Sequence, residues 1–398
     1  MTIRLFDTAS RAVVEFTPGR RVRMYVCGIT PYDSTHLGHA ATYLTYDLLT
    51  RRLEELGHEV AMVRNVTDVD DSILPRAREM GVDYLELADA EFQRFTADMD
   101  ALEMRPALAE PRATEAIPEI VELVQQLVAR GHAYEAAGSV YFDVATFAGF
   151  GALSHYPREQ MLRLAGARGG NPDDPAKRDP LDFVLWQPSA PDEPEWDTPV
   201  GPGRPGWHIE CSAMALHAHG ATLDLHGGGT DLIFPHHECE IAQSEAVTGE
   251  PFARHWLHSA MVAYEGEKMS KSLGNLVFVS DLLKVADPRA VRLSLLQHHY
   301  RSGFEWHDTD IDEGTALLRR LLAAADRPDG ADPGPFADRV RAALDDDLDA
   351  PRALDALDDL ASAVLSGGAS PDAPGALVEL AALLGVDLRR PFNAPEPP

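Results

Sequence analysis

A strand, a tight turn, a helix and a second strand follow one another within residues 21–67, and this succession restricts the fold more than any other feature of the chain. Residues 21–27 alternate apolar and polar, with Val22, Met24 and Val26 on one face. After the turn Gly28-Ile29-Thr30-Pro31, the apolar positions Ala41, Leu44, Leu48, Leu49, Leu53 and Leu56 recur at helical spacing until Gly57 stops them. Residues 58–67 read as a second strand ending in Asn65-Val66-Thr67-Asp68. Strand, helix and strand joined by short turns predict a parallel α/β sheet, with ligands gathered beyond the carboxyl ends of the strands.

The rest of the chain extends that frame. Its 398 residues, 45% of them hydrophobic, can bury a core divided among two or three domains. Residues 111–205 read as an insertion. Within it, residues 118–131 are helical by pattern, and residues 165–205 are dense in Gly, Pro and charge, as flexible loops are. The sheet is expected to resume after Trp207, with residues 224–226 as a short strand and Gly227-Gly228-Gly229 as its turn. Asp287 before Pro288 suits a helix start, and residues 317–322, 340–348, 353–365 and 377–384 suggest a small bundle.

Two short strings carry the chemistry. His36-Leu37-Gly38-His39 opens the first helix, where free backbone N–H groups and a partial positive charge suit phosphate. Lys268-Met269-Ser270-Lys271-Ser272 holds two of the chain's four lysines in a loop flanked by Gly266 and Gly274. Either string alone reads as solvated histidines or an exposed charged loop. In this order, each after an extended apolar run, they resemble the paired ATP-handling signatures of class I aminoacyl-tRNA synthetases. The resemblance implies a class I synthetase-type Rossmann (HUP) parallel-sheet catalytic domain with an insertion, followed by a C-terminal α-helical bundle. Its halves are expected at residues 1–110 and 206–286, with the connective insertion at 111–205 and the helical domain at 287–398. It also implies that His36, His39, Lys268 and Lys271 stabilise charge on ATP during carboxylate activation.

Three cysteines, Cys27, Cys211 and Cys239, make no disulfide framework. Cys27 ends the first strand, Cys211 follows Gly206-Trp207-His208-Ile209-Glu210, and His236 stands in Phe234-Pro235-His236-His237-Glu238-Cys239-Glu240. If these loops converge, two thiolates and an imidazole are offered to zinc with one position left over, although no compact Cys-x-x-Cys motif marks the site. The segments resemble cysteinyl-tRNA synthetase, which implies zinc held by Cys27, Cys211, His236 and Glu240. By spacing, Glu240 shares a helix face with His236 and reads equally as a ligand or as a solvated or neighbouring carboxylate. Cys239 reads as an inert buried thiol.

A closer resemblance is to the mycothiol ligases, which join cysteine to a sugar amine. The turn Cys27-Gly28-Ile29-Thr30-Pro31-Tyr32-Asp33 looks like their form. Ala167-Arg168-Gly169-Gly170-Asn171-Pro172 matches their Glu-Arg-Gly-Gly-Asp-Pro block except at Ala167 and Asn171. The resemblance implies an ATP-dependent, AMP-forming ligase acting through cysteinyl-AMP, with L-cysteine, Mg-ATP and glucosaminyl-inositol as substrates and one Zn2+ per chain. It implies that Cys27, Gly28, Ile29, Thr30, Thr42, Asn65, Val66 and Thr67 contact the adenylate and that Trp207 packs beside the cysteine. Gly229, Thr230 and Asp231 would approach the ribose, and Val262 the adenine. For Trp207 and Thr42 a core-packing role reads equally well.

Charge bears on the acceptor. The net charge is −29, and residues 301–398 carry 20 acidic and 9 basic side chains with no lysine, a poor docking surface for tRNA. A shortened cysteinyl-tRNA synthetase and a non-catalytic cysteine- or nucleotide-binding paralogue are the alternatives. No apolar run reaches the ~20 residues that span a bilayer, and the first residues lack a secretory layout. A cytoplasmic protein without membrane partners is therefore expected, and a monomer is taken as the default state.

Overall fold

The structure, a computed structural model, describes residues 2–32, 34–269 and 274–393. A hairpin of β1 (Ile3–Asp7) and β2 (Ala12–Phe16) precedes β3 (Arg21–Ile29), α1 (Leu37–Glu55) and β4 (Glu59–Val66). The helix and both strands lie within two residues of the expected bounds at each end. Strand β3 is buried on both faces over its second half, as a parallel strand covered on two sides must be. A helical hairpin, α2 (Ile73–Met80) and α3 (Tyr84–Ala101), follows β4.

Next come α4 (Ile117–Ala129), β5 (Ala133–Ala136), β6 (Ser139–Phe142), α5 (Arg158–Ala167), β7 (Phe183–Gln187) and β8 (Arg204–Pro205). Strands β5 to β8 form an antiparallel sheet in sequence order. Residues 165–205 are thus more ordered than their Gly and Pro content predicts. Phe183 and Trp186 are buried, with Phe183 stacked on Phe142 at 4.9 Å, so packing overrides local composition.

The chain then returns through α6 (Trp207–His219), β9 (Leu225–Gly229), α7 (Glu238–Thr248), β10 (Trp256–Ser259), β11 (Val262–Tyr264) and β12 (Glu267–Lys268). The central sheet runs β10-β9-β3-β4, every neighbouring pair parallel. The three glycines expected as a turn after residue 226 instead belong to β9. Here α1 lies so close that a Cβ on Gly227 would sit 2.3 Å from the Tyr46 hydroxyl, which donates to the carbonyls of Gly228 (2.9 Å) and Leu257 (2.7 Å). Glycine lets the helix and sheet meet.

Helices α8 (Val279–Val285) and α9 (Pro288–Leu296) lead to β13 (Phe304–Glu305), parallel to β11. Asp287 caps α9 as expected, its carboxylate accepting from Arg289 N at 3.0 Å. Helices α10 (Asp310–Ala325), α11 (Gly334–Asp345), α12 (Ala350–Leu365) and α13 (Ala373–Leu383) make the terminal bundle. Its apolar faces join the core that also packs against α1.

Candidate active site

The first motif meets the segment that follows the second through the backbone. Leu37 N donates to the Val277 carbonyl (2.9 Å) and Val279 N to the Thr35 carbonyl (3.1 Å), so the segment after the lysine loop is hydrogen-bonded to the start of α1. His36 caps that helix, its Nδ1 accepting from Gly38 N at 3.1 Å, and its ring stacks on His39 at 3.9 Å. Burial pushes the His39 pKa well below the usual imidazole value, with His36 adding a smaller push in the same direction. His39 Nδ1 is buried without a partner among the described residues. Such a group is suited to donate to or accept from a ligand. Lys268 ends β12, opposite Ala263 of β11. Its side chain and Lys271 lie outside the described residues.

The turn after β3 is held against the end of β4. Gly28 N donates to Asn65 Oδ1 (2.7 Å), Asn65 Nδ2 to Thr67 Oγ1 (2.9 Å) and Thr67 N to the Ile29 carbonyl (2.9 Å). Thr30 donates to Asp70 (3.2 Å), while Val66 N bonds the Pro111 carbonyl (2.9 Å). A Cβ on Gly28 would fall 1.6 Å from the Asn65 carbonyl oxygen, so only glycine permits this approach. Thr42 turns its hydroxyl back to the Gly38 carbonyl (3.0 Å), a local helix bond. Val262 is buried in β11, whereas Thr230 and Asp231 are half-buried just past Gly229.

Cys27, Cys211, His236 and Glu240, all buried, place one donor atom each within 4.8 Å of one another. Strand β3 brings Cys27, the first turns of α6 bring Cys211, and the sharp turn at Ile233–His237 leads His236 into α7 and Glu240. His236 Nε2 and Glu240 Oε2 are 3.7 Å apart. Trp207 stacks on His236 at 4.3 Å, and His208 Nδ1 meets His236 Nδ1 at 2.9 Å, fixing the ring. Burial pushes the Cys27 thiol and the Glu240 carboxyl up and holds His236 neutral. Two sulfurs, an imidazole and a carboxylate buried together fit a zinc-sized cation, which offsets the cost of ionising them in a dry site.

A second donor group shares Cys27 and Glu240 and adds His226 and His237. His226 Nε2 lies 3.2 Å from Glu240 Oε1, and His237 Nε2 lies 3.3 Å from Cys27 Sγ. His237 Nδ1 in turn meets His258 Nε2 at 2.8 Å, and His258 Nδ1 meets Thr8 Oγ1 at 2.7 Å. Burial holds His258 down to about 3. These imidazoles escaped the sequence reading because they sit on β9, on the turn before α7 and on β10 at no ligand spacing; the His236-His237 doublet was the one visible sign. Glu210, beside Cys211, was also missed. It is fully buried with both oxygens unpartnered among the described residues, and burial pushes its carboxyl well up. Cys239 is buried among apolar side chains outside both donor groups, as expected for an inert thiol.

The family of tRNA synthetases class I (C) catalytic domains matches residues 13–316. The L-cysteine:1D-myo-inositol 2-amino-2-deoxy-α-D-glucopyranoside ligase of Thermobispora bispora is 51% identical over 390 residues, 98% of this chain and 96% of that protein. The ligase of the same name from Mycolicibacterium smegmatis is 50% identical over 394 residues, 97% of this chain and 96% of the other. Among solved structures, Mycobacterium tuberculosis methionyl-tRNA synthetase in complex with methionyl-adenylate superposes with a TM-score of 0.65 at 17% identity, covering 92% of this chain and 89% of that one. The fold is that of ATP-utilising class I synthetases, and no helix among the described residues is long and apolar enough to cross a membrane. With near-full-length identity of this order, the chain belongs to the mycothiol ligase family, a branch of the class I synthetases.

Proposed function

We propose that this chain joins the carboxyl group of L-cysteine to the amine of glucosaminyl-inositol, consuming Mg-ATP and passing through cysteinyl-AMP. The observation that carries the reading is the buried cluster of Cys27, Cys211, His236 and Glu240 at the end of the sheet that also carries the His36–His39 helix start. The identity to ligases named for the same acceptor supports the choice of amine.

In this reading Cys27, Cys211 and His236 hold zinc, with Glu240 as the fourth donor. Zinc, when bound, supplies a thiophilic contact that separates cysteine from serine more sharply than an apolar pocket can. Trp207 packs beside the cysteine. Gly28, Ile29, Thr30 and Thr42 line the adenylate, as do Asn65, Val66 and Thr67. Gly229, Thr230 and Asp231 face the ribose, and Val262 the adenine. Residues 1–110 and 206–286 act as the two halves of the catalytic domain, 111–205 as the connective insertion and 287–398 as its helical support.

A carboxylate oxygen of cysteine attacks the α-phosphorus of ATP, and the bond to pyrophosphate breaks. His36, His39, Lys268 and Lys271 engage the charge that develops on the phosphates. The sugar amine nitrogen then attacks the acyl carbon; the anhydride C–O bond breaks, AMP departs and the amine gives up a proton. The deciding assay follows AMP release from cysteine and ATP with glucosaminyl-inositol or total tRNA as acceptor. Acceleration by the sugar amine is expected. Acceleration by tRNA alone would replace this reading with a cysteinyl-tRNA synthetase.

A further inference from the structure

The block Arg168-Gly169-Gly170, in the middle of the insertion, touches none of the donor atoms described above. Its geometry is a helix stop. Gly170 N returns to the Ala165 carbonyl at 2.8 Å, Gly169 has φ of +83°, and a Cβ on Gly170 would sit 2.9 Å from the Ala165 oxygen. The chain therefore turns sharply at the end of α5, and Lys177 Nζ donates to the Gly170 carbonyl to hold the turn. Arg168, the residue that caps the carboxyl end of α5, is left facing the segment that runs from β9 to α7.

There its guanidinium donates to two backbone carbonyls, those of Asp231 and Phe234. These belong to one sharp turn, in which Phe234 breaks helical geometry with φ −140° and ψ 134°. Asp231 is assigned to the ribose side of the pocket, and His236, two residues past Phe234, to the metal cluster. The insertion also grips this segment at other points. Phe150 and Tyr156 pack edge-on against the Phe234 ring at 6.2 and 6.4 Å, and the Glu238 carboxylate accepts from Gly151 N (2.8 Å) and Ser154 N (2.6 Å). Both bonds come from Nη1, whose two N–H groups are fixed in the guanidinium plane and so hold the two carbonyls at a set angle, which a freely rotating ammonium does less well.

We propose that Arg168 is a positioning residue: by holding the Asp231 and Phe234 carbonyls together it sets the turn that aims His236 at the metal and Asp231 at the nucleotide, so that the insertion couples the two halves of the site. The proposal rests on the roles assigned to His236 and Asp231 above. It predicts a loss spread over both ligands, since one clamp serves both. Groups that orient a metal ligand from behind are typically worth about 10- to 100-fold in metal affinity.

The test compares the intact protein with Arg168→Ala, Arg168→Lys and Arg158→Ala. The last removes a surface pairing of the same helix with Asp179 and serves as the control. Zinc loss to a chromogenic chelator and KM values in cysteine-dependent pyrophosphate exchange are read for each. Arg168→Ala is expected to lose zinc about 10-fold faster and to raise the KM for both cysteine and ATP by a similar factor. Added methylguanidinium is expected to restore part of both losses, and Arg168→Lys to fall between. Arg158→Ala stays at the parent values. Unchanged zinc loss and unchanged KM in Arg168→Ala would overturn the proposal, as would losses that methylguanidinium and lysine leave untouched. A parent protein that binds zinc yet exchanges no pyrophosphate would sink the functional reading alone, because zinc loss still scores Arg168.

Discussion

Asp47, on the helix that opens with His36, is paired with Arg292 of α9 in a dry interior where both side chains are at most 2% exposed. Arg292 also donates to the carbonyls of Leu384 (2.7 Å) and Leu102 (3.0 Å), while Asp47 accepts from Arg51 (2.8 Å) and from Arg105 N (2.6 Å). One guanidinium thus ties α1 to the terminal bundle.

Removing it leaves a buried carboxylate and two buried carbonyls short of a donor. Arg292→Met is expected to cost about 3–5 kcal/mol, read as a lowered midpoint in urea unfolding. Arg292→Met combined with Asp47→Asn should recover part of the loss. A single-variant cost below about 1 kcal/mol would show that the pair is not the tie described.

Gly28→Ala forces a methyl into the Asn65 carbonyl, 1.6 Å from where its Cβ must go. Strands β3 and β4 have to part at their carboxyl ends to admit it. Cysteine-dependent pyrophosphate exchange is expected to fall by 100-fold or more, on the order of 3 kcal/mol of transition-state stabilisation. Near-parent exchange would mean that the turn is not part of the adenylate pocket.

His39 offers a buried nitrogen, without a partner among the described residues, at a helix start. His39→Ala should lower kcat for adenylate formation by about 100- to 1000-fold, the usual cost of losing one charge-stabilising donor, with little change in the cysteine KM. Equal loss in KM with kcat intact would assign it to ground-state binding instead.

Purified parent protein is expected to carry roughly one zinc ion per chain. Cys27→Ser and Cys211→Ser should each lose most of it by elemental analysis, because a hydroxyl is a far weaker zinc donor than a thiolate. Metal content unchanged in both variants would move the ion to other residues.

Asp98, on α3, is raised from 3.8 to about 6 by burial, against which a hydrogen bond from Thr35 pulls only weakly. Its folded pKa lies above its unfolded one, so the stability it permits is complete below about pH 4 and declines as the pH rises to 6. Asp98→Asn should therefore gain on the parent across that window, by about 1 kcal/mol after allowance for solvent screening. Denaturant midpoints at pH 4, 5, 6 and 7 check this. A difference that stays flat with pH would contradict it.

Local patterns were legible where packing agrees with them. The succession β3, α1, β4 stands out because alternation and 3.6-residue spacing are short-range signals, and the Asp287-Pro288 cap marks the start of α9 in the same way. The stretch from residue 165 to 205 misleads, since strand β7 is selected by Phe142 and its neighbours rather than by its own composition. Gly227 to Gly229 mislead for a similar reason: their lack of side chains serves the approach of Tyr46, which no reading of β9 alone reveals.

The amino-acid sequence by itself determined the succession of β3, α1 and β4, the His36–His39 and Lys268–Ser272 strings, and the sulfur, imidazole and carboxylate donors that suit a zinc ion. Only the tertiary structure decided that His226, His237 and His258 stand behind those donors, that Glu210 is buried without a partner among the described residues, and that Arg168 reaches the turn before His236. The reason is physical: periodicity reports which face of an element is buried, whereas contacts between residues as far apart in the chain as Thr8 and His258 depend on how whole strands and helices pack.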